Sequence, residues 1–178
     1  GSEMCIRDSL THATLPALPE PEPAPLNFLD LLPKLQTCLI VGPQNSGKTS
    51  LLHNIAHHRK QAGIVLALDP HSSHWPAGVT IVGAGRDYGS IATVLGKLAT
   101  LLDTRYKRQQ GGKLVTLVCD EWLSIVDNTP QAADRLKLIL TEGRKVNIHL
   151  FLGSHTDRAR QLGLTGLADL RDGMSLVY

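Results

Sequence analysis

The chain has 178 residues, 42% of them hydrophobic and 19% charged, with 18 basic and 16 acidic side chains. That length suits one domain with a sizeable core, and the composition points to neither a disordered nor a membrane chain. A net charge of +2 neither demands nor excludes a nucleic-acid partner, which only a local basic patch would indicate.

Residues 1–9 (Gly-Ser-Glu-Met-Cys-Ile-Arg-Asp-Ser) resemble the translated sequencing-adapter read-through found in metagenomic protein sets, and are read as a non-native start. Residues 10–26 carry Pro16, Pro19, Pro21, Pro23 and Pro25. Prolines at that density fit neither a helix nor a central strand, so this stretch reads as an extended linker before a domain over 27–178. Cys5, Cys38 and Cys119 have no paired spacing, which points to a reducing, cytoplasmic setting without disulfides. No apolar stretch approaches the ~20 residues of a membrane span, and no charged start leads into an apolar segment as in a secretion signal.

From residue 27 onward, strand-like and helix-like text alternate. Cys38-Leu39-Ile40-Val41 is a wholly apolar run, as expected of a strand buried on both faces. It runs into Gly42-Pro43-Gln44-Asn45-Ser46-Gly47-Lys48-Thr49, which matches G-x-x-x-x-G-K-[ST] at every fixed position, followed by Ser50 and a helix to about His58. Glycines let such a loop curl so that successive N–H groups face a phosphate, and the helix behind adds its positive end. Lys48 is placed for the β- and γ-phosphates, and the Thr49 hydroxyl for Mg²⁺. The residues from Gly42 to Ser50 are therefore the candidate ATP-binding set.

Gly63–Asp69 and Val79–Val82 are the next expected strands. A helix beginning at Ser90 carries Ile91, Val94, Leu95, Leu98, Leu101 and Leu102 on one stripe. Leu114–Cys119 is a further buried strand, and it ends in Asp120-Glu121. An aspartate at such a strand tip supports the Mg²⁺ shell, and the glutamate after it can polarise an attacking water. Thr129-Pro130 reads as the N-cap and first residue of a helix to about Gly143. Ile148–Leu152 and Met174–Tyr178 complete the strands. The alternation predicts an α/β domain with a mostly parallel central sheet and helices on both faces.

Leu39 through Thr49, Asp69-Pro70, Val118-Cys119-Asp120-Glu121-Trp122 and Glu142 through His155 occur in that order. In this order they resemble the FtsK–HerA superfamily of P-loop DNA-translocating ATPases, over roughly residues 36–178. The resemblance implies a RecA-like domain that hydrolyses ATP with Mg²⁺, stimulated by double-stranded DNA, in a homo-oligomeric, hexameric ring. It implies a polar sensor at the tip of the last core strand, where members usually have glutamine and this chain has His155 after Ser154. It also implies an arginine lent by the neighbouring subunit: Arg144 matches best by position, with Arg158 and Arg160 as rivals. Members continue past a strand like Ser175–Tyr178, so the sequence reads as a shortened form.

Other features have two readings. His53 and His57 are spaced for a shared metal but find no further ligands at matching spacing, so a polar helix face is the simpler account. Trp75 and Trp122 are candidates for DNA stacking or for packing. Arg105, Lys107, Arg108 and Lys113 form a basic cluster that suits either DNA phosphates or a solvated helix end. The expected function is a DNA motor. Its rivals are a nucleotide-gated assembly protein with incidental turnover and a small-molecule kinase, the latter disfavoured by the absence of an arginine-rich lid insertion.

Overall fold

The computed structural model describes residues 27–71, 74–165 and 168–178; the expected non-native start over 1–9 and the expected linker over 10–26 lie outside the described residues. Among the described residues, no helix is long and apolar enough to cross a membrane.

A short helix α1 (Phe28–Leu31) and a 3-10 turn (Leu32–Lys34) lead into strand β1 (Thr37–Val41). Helix α2 (Lys48–Arg59) and strands β2 (Gly63–Leu68) and β3 (Thr80–Val82) follow. Next come α3 (Tyr88–Arg108), β4 (Leu114–Cys119), α4 (Trp122–Asn128) and α5 (Ala132–Glu142). A 3-10 turn (Gly143–Val146) leads to β5 (Ile148–Ser154), then α6 (Ala168–Asp172) and β6 (Ser175–Val177). The six strands form one sheet in the order β3-β2-β4-β5-β1-β6, and every pairing is parallel.

Strand periodicity explains why the core strands are apolar at successive positions. Alternate side chains point to opposite faces, and here both faces are covered. Cys38, Ile40, Val118 and Phe151 pack with Leu52, Ile55 and Ala56 of α2. Leu39, Leu117, Leu150 and Leu152 pack with Ile91, Leu95, Leu136 and Ile139 of α3 and α5. Every residue of β5 is buried. The sheet is wholly parallel, which sharpens the expected "mostly".

Two helix starts differ from expectation. α3 begins at Tyr88, capped by Asp87, whose Oδ1 accepts from Ser90 N at 3.0 Å. The expected start at Thr129-Pro130 is displaced, because α4 occupies 122–128 and leaves Thr129 extended at its C-terminal end. α5 starts at Ala132 behind Gln131 in the left-handed region, and Thr129 Oγ1 is buried without a hydrogen-bond partner, so it caps nothing.

Two arginines are absorbed at the edge where the strands begin. Arg105 donates to the carbonyls of Val146 (2.6 Å), Asn147 (3.2 Å) and Lys113 (2.6 Å), and is buried. It thereby leaves the basic cluster, of which Lys107, Arg108 and Lys113 remain exposed. Arg59, at the end of α2, donates to the carbonyls of Leu32 (2.5 Å) and Leu35, and its guanidinium lies 5.2 Å from the Phe151 ring centre.

Beside Arg59 sits His149, 3.3 Å from Arg59 Nη1 through its Nδ1. Burial, reinforced by the guanidinium charge, pushes the His149 pKa down from 6.5 to about 4. The unfolded chain therefore takes up a proton below pH 6.5 that the folded chain refuses until about pH 4. Stability from this group is complete above pH 6.5 and is lost as pH falls through that window. We expect the urea midpoint to drop between pH 7 and 5 by more in the wild type than in His149→Gln. Identical pH slopes would refute the assignment.

Candidate nucleotide site

Because the sheet is parallel, the C-terminal ends of β1, β4 and β5 lie along one edge, and the loops leaving them share a cleft. The loop after β1 turns at Asn45 (φ 64°) and Gly47 (φ 90°). Gly47 suits that left-handed position because it has no Cβ. A Cβ at Gly42 would come within 2.4 Å of Ser46 Oγ, so a larger residue there would make the Ser46 side chain turn aside. Gln44, Asn45, Gly47, Lys48, Thr49, Ser50, Glu121 and His155 line a cleft of about 410 Å³. Pro43 and Ser46 stand in the same loop, on the side toward β6.

Lys48 opens α2 and is almost fully buried. Its Nζ donates to the carbonyls of Gly42 (2.9 Å) and Pro43 (2.8 Å) and lies 3.4 Å from His155 Nδ1. Thr49 Oγ1 donates to Asp120 Oδ2 at 2.6 Å, joining the loop to the tip of β4. Asp120 is 4% exposed. Burial pushes its pKa up; the Thr49 hydrogen bond opposes that shift, and the neighbouring Asp69 and Glu121 carboxylates reinforce it.

Glu121 follows in the left-handed region (φ 52°, ψ 50°), with its N–H donating to Asp120 Oδ1 at 3.0 Å. That conformation costs a non-glycine residue roughly 1–2 kcal/mol. It turns the chain sharply off the strand, so that Glu121 Oε2 comes within 3.2 Å of His155 Nε2. His155 Nδ1 is also 3.3 Å from the Gly42 carbonyl. Nε2 thus faces the Glu121 carboxylate, and Nδ1 faces both the Lys48 ammonium and the Gly42 carbonyl.

Among the described residues, no three His, Cys, Asp or Glu side chains are grouped to enclose a metal ion. Mg²⁺ needs no such cage when phosphate oxygens and water complete its shell. The residues present fit it: Thr49 and Asp120 supply two oxygens at one point, amid carboxylates whose mutual repulsion a divalent cation offsets.

Arg144 is exposed in the turn before β5, beside Thr37, Asp169 and Gly173, at the edge where strands begin. It is thus at the opposite edge of the sheet from its own chain's phosphate loop. Arg158 and Arg160 lie past the end of β5, by Leu123 and Asp127. Trp122 is fully buried and donates to the Leu162 carbonyl at 3.2 Å, so it is a packing residue. Trp75 donates to Asp69 Oδ2 at 2.9 Å and rests its ring on His53, with centroids 4.4 Å apart. Asp69, in the Asp69-Pro70 pair after β2, is buried, and its carboxylate bears on Asp120.

No protein-family model matches the chain, and no curated protein sequence matches it. Solved structures do. The pCW3 conjugation coupling protein TcpA, in its monomer form with ATPγS, superposes with a TM-score of 0.58 at 16% identity, over 78% of this chain and 48% of that one. The cytoplasmic domain of the Thermomonospora curvata type VII secretion ATPase EccC superposes with a TM-score of 0.59 at 13% identity, over 82% of this chain and 19% of that one. At these identities the likeness establishes the fold alone, an α/β fold built on a parallel sheet. The chain spans about half the length of the first structure and about a fifth of the second.

Proposed function

We propose that this domain is the ATP-hydrolysing subunit of a DNA-translocating ring of the FtsK–HerA type, with six copies the expected number. One observation carries the ATPase reading: Lys48, Thr49, Asp120, Glu121 and His155, from three separate strand ends, meet around one cleft beside a phosphate-type loop. The fold shared with a conjugation coupling protein and a secretion ATPase supports a motor. The choice of double-stranded DNA and of a ring rests on the sequence resemblance.

In this reading the N–H groups of the loop and the start of α2 hold the phosphates, and Lys48 leaves the Gly42 and Pro43 carbonyls for the β/γ oxygens. Thr49 and Asp120 would hold Mg²⁺, which supplies positive charge against the phosphate oxygens when bound. Glu121 orients the attacking water and takes its proton as the γ-phosphorus–oxygen bond to the leaving diphosphate breaks. His155, donating from Nε2, fixes the Glu121 carboxylate and serves as the sensor. Arg144 reaches the site of the adjoining subunit.

Glu121→Gln is accordingly expected to bind Mg-ATP normally and hydrolyse it at least ~10²-fold more slowly, as loss of a general base does. Equal turnover would transfer the role to His155. The function as a whole is tested by ATPase rate with and without double-stranded DNA, on protein whose mass in solution is known. Stimulation by DNA in an oligomer supports the motor. Slow turnover indifferent to DNA favours the nucleotide-gated assembly protein.

A further inference from the structure

We propose that a cleft at the edge where the strands begin, walled by Arg59 and His149, is a second binding site, and that its ligand is a small organic carboxylate with an apolar body. The cleft lies at the far end of α2 from the phosphate loop, so it stands or falls independently of the ATPase reading.

The site begins with a charge that has no counter-ion. Arg59 is the last residue of α2 and is 5% exposed. A guanidinium has five N–H donors. Here Nη2 gives to the Leu32 and Leu35 carbonyls and Nη1 faces His149 Nδ1, while Nε is buried with no partner. No carboxylate pairs with Arg59 among the described residues, and burial alone displaces its pKa, downward. The Phe151 ring and the two carbonyls offer only partial negative charge. A buried cation held in this way is costly until an anion joins it.

His149 supplies a second donor. Its Nδ1 faces the Arg59 guanidinium, which can donate but not accept, so Nδ1 accepts and the neutral ring carries its proton on Nε2. Nε2 has no partner among the described residues and is not sealed from solvent. Arg59 and His149 both line a cleft of about 460 Å³, whose described lining contains no acidic residue. Leu32, Pro33, Ala62 and Leu114 give it an apolar wall. One formal positive charge beside one neutral donor matches the single charge of a carboxylate, and a planar guanidinium suits its planar shape. The apolar wall covers the rest of the ligand.

The test is titration calorimetry at pH 7 of wild type, Lys48→Ala, Arg59→Met and Ala62→Trp, with benzoate, acetate, benzamide and phenyl phosphate as probes. Wild type should bind benzoate about 10-fold or more tightly than acetate, which lacks the ring, and than benzamide, which lacks the charge. Ala62 is exposed, so a tryptophan there fills the cleft without entering the core. Ala62→Trp and Arg59→Met should each weaken benzoate by about 10-fold or more, whereas Lys48→Ala should leave it unchanged. If circular dichroism shows Arg59→Met unfolded, Ala62→Trp and the ligand series decide. Equal binding of benzoate and benzamide overturns the anion site, and equal binding of benzoate and acetate overturns the apolar wall. Tighter binding of phenyl phosphate than of benzoate overturns the carboxylate assignment. Loss of benzoate in Lys48→Ala with none in Ala62→Trp puts the anion in the phosphate loop and overturns the second site. No benzoate binding at about 10 mM overturns it as well.

Discussion

A Lys48→Ala protein should keep its fold and lose nucleotide binding. The packing of α2 against the sheet comes from Leu52, Ile55 and Ala56, all fully buried and all further along the helix. Lys48 contributes an ammonium held by two loop carbonyls, which a bound phosphate replaces as partner. Each charge-assisted hydrogen bond is worth roughly 1.5–3 kcal/mol, so losing two weakens binding by about 10²-fold to 10⁴-fold. Far-UV circular dichroism and the denaturant midpoint report the fold, and calorimetry with Mg-ATP reports the site. Unchanged affinity in a folded Lys48→Ala protein would falsify the phosphate-loop assignment.

Arg144→Ala should lower turnover about 10³-fold or more with little loss of ATP affinity, as removal of a transition-state contact does. The position of Arg144, at the sheet edge remote from its own loop, suits this role. In a head-to-tail ring the nucleotide edge of one subunit meets a different surface of the next. An arginine far from its own site is therefore one that can be lent. The measurement is a mixing titration at a concentration where rings are seen by mass photometry. Excess Lys48→Ala protein should restore part of the activity, because its Arg144 serves a neighbour with an intact loop. No rescue at any ratio in confirmed mixed rings removes Arg144 in favour of Arg158 or Arg160. A strictly monomeric protein with full activity removes the ring.

The parts of the fold that were legible in the sequence are those with a strong local cause. β1, β4 and β5 are apolar at nearly every position because both faces of a parallel sheet are covered, and such runs stand out from their surroundings. The tight loop over Gly42–Thr49 between β1 and α2 was legible because glycine marks its left-handed turn at Gly47. What was missed depends on contacts distant in sequence. Thr129-Pro130 is chemically a good helix start, but Trp122 and Ile125 gained more by burying themselves in a short helix directly after Glu121. Arg105 reads as one charge in a basic patch, and only the turn before β5 shows that three carbonyls enclose it. The link from Lys48 through His155 to Glu121 spans 107 residues and was expected only through a family resemblance.

The Arg59 guanidinium has a mechanical consequence. α2 begins at the phosphate loop and ends at Arg59, 12 residues and about 18 Å later at the usual rise. At that far end Arg59 grips the Leu32 and Leu35 carbonyls, in the segment that leads the chain into β1. The helix is therefore a stiff rod anchored at both ends, with the Gly42–Gly47 loop on one and the segment leading into β1 on the other. Any rocking of the rod as phosphate arrives or leaves becomes a pull on Leu32 and Leu35.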